Sequence, residues 1–127
     1  MSTKLIMTGA TLFTALLGIA FLFLPAEVFN AYGTRSEYIP ELLLQLTGAI
    51  FLGFAALNWV ARGSLIGGIY GRSVLVGNYT HFTIGSILLI KEFVNYPCDR
   101  LTLLGLIAYT AFAVAFAILL FRSPVKK

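Results

Sequence analysis

LTLLGLIAYTAFAVAFAILLF, residues Leu101–Phe121, is an apolar stretch that contains no charged side chain. An α-helix rises about 1.5 Å per residue, so a stretch of this length covers the roughly 30 Å of hydrocarbon in a bilayer. Backbone polar groups inside lipid must pair within their own segment, which an α-helix achieves. We therefore predict a transmembrane helix here, bounded by Asp99 and Arg100 at one end and by Arg122 at the other.

Three further stretches have the same character, and charged residues stand only at their ends: Leu5–Leu24, Glu41–Ala61 and Ser73–Ile90. Hydrophobic residues make up 59% of the 127-residue chain, and charged residues make up 11%. A soluble domain carries about 25% charged residues. A chain this short keeps much of its surface exposed, so a buried core cannot account for the low charged fraction. The sequence predicts an all-α polytopic membrane protein, in which a four-helix transmembrane bundle forms a single domain over residues 1–127.

The basic residues predict how the four spans are oriented. Both termini and the link between the second and third spans share one side, which holds Lys4, Arg62, Arg72, Arg122, Lys126 and Lys127. The opposite side holds Arg35, Lys91 and Arg100, together with all 5 acidic residues. By the positive-inside rule, both termini are cytoplasmic. We expect the chain to lie in the inner membrane of a bacterium.

Small residues predict where the helices pack, because in lipid helices associate through close backbone contact. The first outer loop is expected to be a solvated connector, and the alternative is a short helix in the membrane interface with Val28, Phe29 and Tyr32 against lipid. The predicted packing positions, at spacings of four or eight residues, are Ala10, Thr14 and Gly18; Ala49 and Gly53; Ser73, Gly77 and Gly85; Ala111 and Ala115; and Ala113 and Ala117.

His81, the only histidine, lies near the middle of the third span. Ionisable residues at membrane depth are costly and mark functional sites. Asn78 and Glu92 lie three and eleven residues away, which places them on the same side of a helix. One interpretation makes His81 an interhelical hydrogen-bonding residue, with Gln45 or Thr47 of the second span among its partners. The others are a polar ligand site or path from His81 to Glu92, and ligation of a metal or haem.

The link between the second and third spans, residues 62–72, is rich in glycine and has an arginine at each end. Glycine-rich backbone can direct several N–H groups at an anion, and arginine binds phosphate. Arg62, Arg72, Gly67 and Gly68 therefore form a candidate site for an anion or a lipid headgroup. The alternative is a tight hairpin whose arginines only anchor the topology.

Several function classes lack support in the sequence. It has no Ser/His/Asp set, no CxxC motif and no nucleotide-binding loop, and its basic residues do not cluster as nucleic-acid binding requires. With one histidine and one cysteine, we expect no metal site and no cofactor.

The preferred hypothesis is a non-catalytic membrane protein that binds lipid or a small hydrophobic molecule, or serves as the accessory subunit of a membrane complex. We expect membrane lipids as partners, and a homo-oligomer or larger assembly. The alternative is a small oligomeric transporter or channel with a polar path along the third span. An enzyme subunit that holds haem or quinone through His81 is a weaker third hypothesis.

Overall fold

A computed structural model describes residues 3–32, 41–63, 69–97 and 100–122, and these residues form helices with short turns and no strand. The helices are α1 (Thr3–Phe23), α2 (Pro25–Tyr32), α3 (Glu41–Ala61), α4 (Ile69–Asn95) and α5 (Arg100–Phe121). Within the described ranges, 4 helices are long and apolar enough to cross a membrane, namely α1, α3, α4 and α5. The predicted all-α membrane fold is confirmed.

The helix bounds follow the predicted spans closely, except in α4. That helix runs over Ile69–Asn95, longer than the predicted span Ser73–Ile90. Arg72 therefore lies in the first turn of α4 and not in a loop, which corrects the predicted extent of the link. Long charged side chains at a helix end extend toward water while the backbone stays helical, so charges do not end the helix.

Pro25 causes the break between α1 and α2. The amide of Leu24 still donates to the carbonyl of Ala20 at 2.9 Å, and the amide of Val28 donates to the carbonyl of Leu24 at 3.1 Å. Proline has no N–H group and its ring clashes with the preceding turn, so the helix cannot continue unbroken through Pro25. The structure shows the short helix α2 where the sequence favoured a solvated connector, and the location of α2 in the membrane interface stays a prediction.

The chain divides into two compact units, Met7–Arg62 and Gly63–Lys127 with Met1–Ile6. The single domain over residues 1–127 stays a prediction.

In the unit Met7–Arg62, α1 and α3 pack antiparallel with their backbones in close contact. A Cβ atom built on Gly48 would lie 2.8 Å from the carbonyl oxygen of Gly18, and the rings of Phe21 and Phe51 meet at 5.6 Å between centroids. The predicted packing positions on α1 are confirmed as buried: Ala10, Thr14 and Gly18.

The predicted packing face of α3 is wrong. Ala49 and Gly53 are exposed, and a Cβ atom on Gly53 would meet no atom within 4 Å. One helical position is a rotation of about 100°, so a shift of one residue moves the contact to another face. The buried residues of α3 are Gly48, Phe51, Ala55 and Asn58.

In the second unit, α4 and α5 pack antiparallel through a seam that aromatic residues dominate. The buried residues of α5 are Thr102, Tyr109, Phe116 and Leu119. Their repeat of seven and three residues is typical of helices that pack at a shallow crossing angle. The alanine faces predicted for α5 are not this seam, since Ala111 is exposed and the other three alanines are only half-buried. Of the packing positions predicted on α4, Ser73 is exposed and a Cβ atom on Gly77 would meet no atom within 4 Å, whereas Gly85 contacts Tyr109 of α5.

Candidate functional site

Two polar side chains meet between α4 and α5 at the middle of their spans. The hydroxyl of Tyr109 lies 3.2 Å from Nε2 of His81, a hydrogen bond in which the tautomer of His81 decides which atom donates. His81 is ten residues from the start of the span Gly71–Asn95, and Tyr109 is nine residues from Arg100, the start of α5. At about 1.5 Å per residue, both lie roughly 14–15 Å from these starting residues. The pair is therefore near the middle of both spans.

Gly85 makes room for Tyr109. A Cβ atom at Gly85 would lie 2.5 Å from Cδ1 of the Tyr109 ring, so only a glycine permits this approach without a shift. The glycine is one turn after His81, which places the tyrosine ring against the backbone of α4 with its hydroxyl at the imidazole. Tyr109 is buried and His81 is half-buried, so the imidazole is the member of the pair that a ligand can reach.

An aromatic cluster adjoins the pair. The Phe82 ring stacks with Phe116 at 5.7 Å between centroids and an interplanar angle of 8°, and with Phe112 at 5.0 Å and 26°. It also meets the Tyr109 ring edge to face at 5.1 Å. Stacked and edge-to-face rings contribute about 0.5–1.5 kcal/mol beyond their buried area. The cluster therefore fixes the register of α4 against α5, on which the distance between His81 and Tyr109 depends.

The other predicted residues of α4 lie on the same helix, at the predicted spacing from His81. Asn78 is buried, and its Nδ2 donates to the carbonyl of Val74 at 2.9 Å. Glu92 is half-buried near the C-terminal end of α4 and is part of the continuous helix. Their function together with His81 stays a prediction.

Gln45 and Thr47 of α3 belong to the other unit, where the structure gives each a partner. Nε2 of Gln45 donates to the carbonyl of Leu22 at 3.4 Å, and the hydroxyl of Thr47 donates to the carbonyl of Leu43 at 2.9 Å. The first is a bond between α3 and α1, and the second stays within α3. Their predicted pairing with His81 remains untested, and Tyr109 is one partner of His81.

The predicted anion site is described only in part. Cζ of Arg62 lies 3.1 Å from the centroid of the Trp59 ring, and Arg72 is exposed in the first turn of α4. Gly67 and Gly68 lie outside the described residues. The sequence analysis did not predict the contact between Trp59 and Arg62, although residues three apart on a helix are neighbours and this spacing was available as a signal.

Tyr109 is the residue of the candidate site that the sequence analysis did not identify. It is separated from His81 by 28 residues, so their contact depends on the relative register of two helices. The available signal was its spacing of seven residues from both Thr102 and Phe116, as the only tyrosine in the stretch Leu101–Phe121.

The described residues include no group of three or more His, Cys, Asp and Glu side chains that could hold a metal ion. No family model, curated protein sequence or solved structure matches this chain.

Tyr109→Phe is expected to lower the free energy of unfolding by about 0.6 kcal/mol, with an upper bound of about 1.7 kcal/mol, as for other hydrogen bonds between membrane helices. The substitution removes the hydroxyl that contacts His81 and keeps the ring that packs on Gly85 and Phe82. Unfolding by sodium dodecyl sulfate, followed by circular dichroism, measures the change. Tyr79→Phe is the control, since it keeps the ring contact of Tyr79 with Phe121. An equal loss in both variants would contradict a specific contribution of the Tyr109 hydroxyl.

Proposed function

We propose that this chain is an integral membrane protein that binds a lipid-soluble molecule with a small polar group at His81 and Tyr109. The observation that carries the proposal is the hydrogen-bonded pair at mid-span, where His81 is half-buried and Tyr109 is buried. Polar side chains at membrane depth are costly and mark ligand sites or pathways. The hydrogen bond to Tyr109 holds the imidazole of His81 in one position, so that its polar atoms lie within the hydrocarbon.

Free space adjoins His81 on one side. Gly77, one turn before His81, is half-buried, and a Cβ atom there would meet no atom within 4 Å. The space beside Gly85, one turn after His81, is instead occupied by the Tyr109 ring. A ligand would therefore approach His81 along α4 from the side of Gly77.

Depth limits the class of ligand. The headgroup of an ordinary phospholipid stays at the interface, roughly 15 Å from the bilayer centre. A molecule that reaches His81 must carry its polar atom into the hydrocarbon, as a ketone or an alcohol with an apolar body does. A neutral imidazole can donate to a carbonyl or accept from a hydroxyl, so either ligand group suits it.

The binding test uses a dodecyl-substituted benzophenone, which has one carbonyl oxygen and forms covalent adducts on irradiation. We expect adducts on α4 and α5 residues around His81 when the protein is irradiated in liposomes, mapped by peptide mass spectrometry. Gly77→Val fills the space beside His81 and should reduce these adducts about fivefold, the equivalent of one hydrogen bond of about 1 kcal/mol. A ketone of the same length should compete with the probe and lower the yield of these adducts.

Gly53→Val is the matched control, because Gly53 also has no atom within 4 Å of its built Cβ but lies on α3, in the other unit. It should leave the adducts around His81 unchanged. Competition by the corresponding hydrocarbon, dodecyl diphenylmethane, should be weaker than competition by the ketone. Equal competition, or equal labelling of the Gly77→Val and Gly53→Val proteins, would contradict a polar site at His81.

A transporter or channel is the second candidate, supported by the buried Asn78 and by the helical continuity of α4 from Asn78 through His81 to Glu92. Such a path would require a second copy of the chain or another subunit to complete it, since α4 supplies one wall. Proton or ion flux into liposomes that is lost in His81→Ala would favour this candidate. We likewise propose that the chain works as a homo-oligomer or as the accessory subunit of a membrane complex.

A further inference from the structure

We propose that Arg62, stacked on Trp59 at the C-terminal end of α3, binds the phosphate group of an anionic phospholipid. The inference concerns the other unit of the chain and does not depend on ligand binding at His81. The sequence analysis grouped Arg62 with Arg72 and two glycines in one loop, whereas in the structure Arg62, directly after α3, contacts Trp59 in the last turn of that helix.

The stacking geometry decides which part of the arginine can bind a ligand. With Cζ 3.1 Å from the centroid of the Trp59 ring, the guanidinium group lies over the face of the indole. A cation held this way gains from the ring quadrupole, and one flat face of the group is occupied. The N–H bonds lie in the guanidinium plane, so stacking leaves its edges able to donate. Two parallel N–H bonds on one edge match two phosphate oxygens.

The position of the pair suits a lipid headgroup. Trp59 is 49% exposed, and it lies in the last turn of an apolar helix that is long enough to span a membrane. Tryptophan at a span end is typical of the interface, at the level of the headgroups. The amide of Arg62 donates to the carbonyl of Asn58 at 3.0 Å, so the helical backbone holds Arg62 one turn beyond that buried residue.

Charge favours an external anion. The sequence from Leu42 to Lys91 contains no aspartate or glutamate. Glu41, the carboxylate at the start of α3, is about 30 Å away along the helix at 1.5 Å per residue. An anionic lipid surface attracts each nearby basic side chain by about 1 kcal/mol, which corresponds to about a fivefold preference over a zwitterionic lipid.

The test uses the fluorescence of Trp59, the only tryptophan in the chain. Bromine atoms on a lipid chain quench an indole on contact, so the protein is placed in vesicles that contain 6,7-dibrominated phosphatidylglycerol or 6,7-dibrominated phosphatidylcholine. For the unaltered protein, we expect Trp59 to contact phosphatidylglycerol with about a fivefold preference over phosphatidylcholine. Arg62→Gln should remove this preference while the helical circular dichroism is unchanged.

Three controls separate a specific site from general attraction. Arg122→Gln removes a basic side chain that follows α5, and it should keep the preference. Arg72→Gln tests the anion site that the sequence predicted in the link between the second and third spans. This variant should also keep most of the preference. Arg62→Lys retains the charge but not the planar fork, and it should retain only part of the preference.

Inorganic phosphate added to phosphatidylcholine vesicles distinguishes a lipid headgroup from a free anion. At constant ionic strength, Trp59 emission should not change with phosphate, because the interface and not the free anion supplies the ligand. A phosphate-dependent change would overturn the assignment to lipid. Equal quenching by both lipids in the unaltered protein, or an undiminished preference in Arg62→Gln, would overturn the site itself.

Discussion

Gly48→Ala is expected to lower the free energy of unfolding by about 2–3 kcal/mol, because the new methyl group would be forced into backbone. Its Cβ atom would lie 2.8 Å from the carbonyl oxygen of Gly18 and 2.9 Å from the amide nitrogen of Leu22. Backbone atoms of α1 cannot rotate away as the end of a flexible side chain can. The substitution therefore moves α1 and α3 apart, which weakens the contact between Phe21 and Phe51 as well.

Unfolding by sodium dodecyl sulfate measures this change, with Trp59 fluorescence as the signal because Trp59 lies on α3 in the same unit. Gly53→Ala is the control, since its Cβ atom would meet nothing within 4 Å. That variant should unfold at the same or a slightly higher detergent concentration, as alanine is the better helix former. If the two variants unfolded alike, Gly48 would not be the point of close approach.

The reciprocal substitution tests the same contact from α1. Gly18→Ala would place Cβ 2.9 Å from the carbonyl oxygen of Gly48 and 2.7 Å from Cγ of Leu52. Once one methyl group has separated the helices, a second costs less, so the double variant should lose less than the sum of the single losses.

The spans were predictable because the solvent of this protein is hydrocarbon. Uncharged stretches of the length that a bilayer requires differ clearly from the mixed polar and apolar helices of soluble proteins. As an example, α3 begins and ends at the predicted residues Glu41 and Ala61. The end of α4 was less predictable, since charged side chains near the interface are compatible with a helix that continues.

Helix faces were harder to predict than spans. In water, a polar face and an apolar face distinguish outside from inside, but lipid leaves apolar residues on both. Only small residues remained as a signal, and α3 has small residues on two faces, at Gly48 and Ala55 and at Ala49 and Gly53. The choice between them depends on the matching glycine of α1, which sequence spacing within α3 does not contain.

The candidate site was predictable as a residue but not as a contact. A single histidine at mid-span is conspicuous in a chain of this composition, so His81 was identified. Its contact with Tyr109 requires antiparallel packing in one register, which the stack of Phe82 on Phe112 and Phe116 establishes. No local pattern in α4 encodes the position of a tyrosine 28 residues later.

Gly85→Ala is expected to lower the free energy of unfolding by about 2 kcal/mol and to separate Tyr109 from His81. The added Cβ atom would lie 2.5 Å from Cδ1 of the Tyr109 ring, against a residue that is buried and held in the aromatic cluster. The ring can relieve this clash only by moving outward, which carries its hydroxyl away from Nε2 of His81. Binding of the benzophenone probe at His81 should then change together with stability.

Gly77→Ala is the control on the same helix, because its Cβ atom would meet nothing within 4 Å, and its stability should stay the same or rise slightly. A second comparison isolates the ring. In a Tyr109→Ala background, the ring that meets Gly85 is gone, so Gly85→Ala should cost little there. A full loss of about 2 kcal/mol in that background would place the cause in α4 itself and contradict close packing of Tyr109 on Gly85. The difference between the two backgrounds, measured in the same detergent titration, is the coupling free energy of this contact.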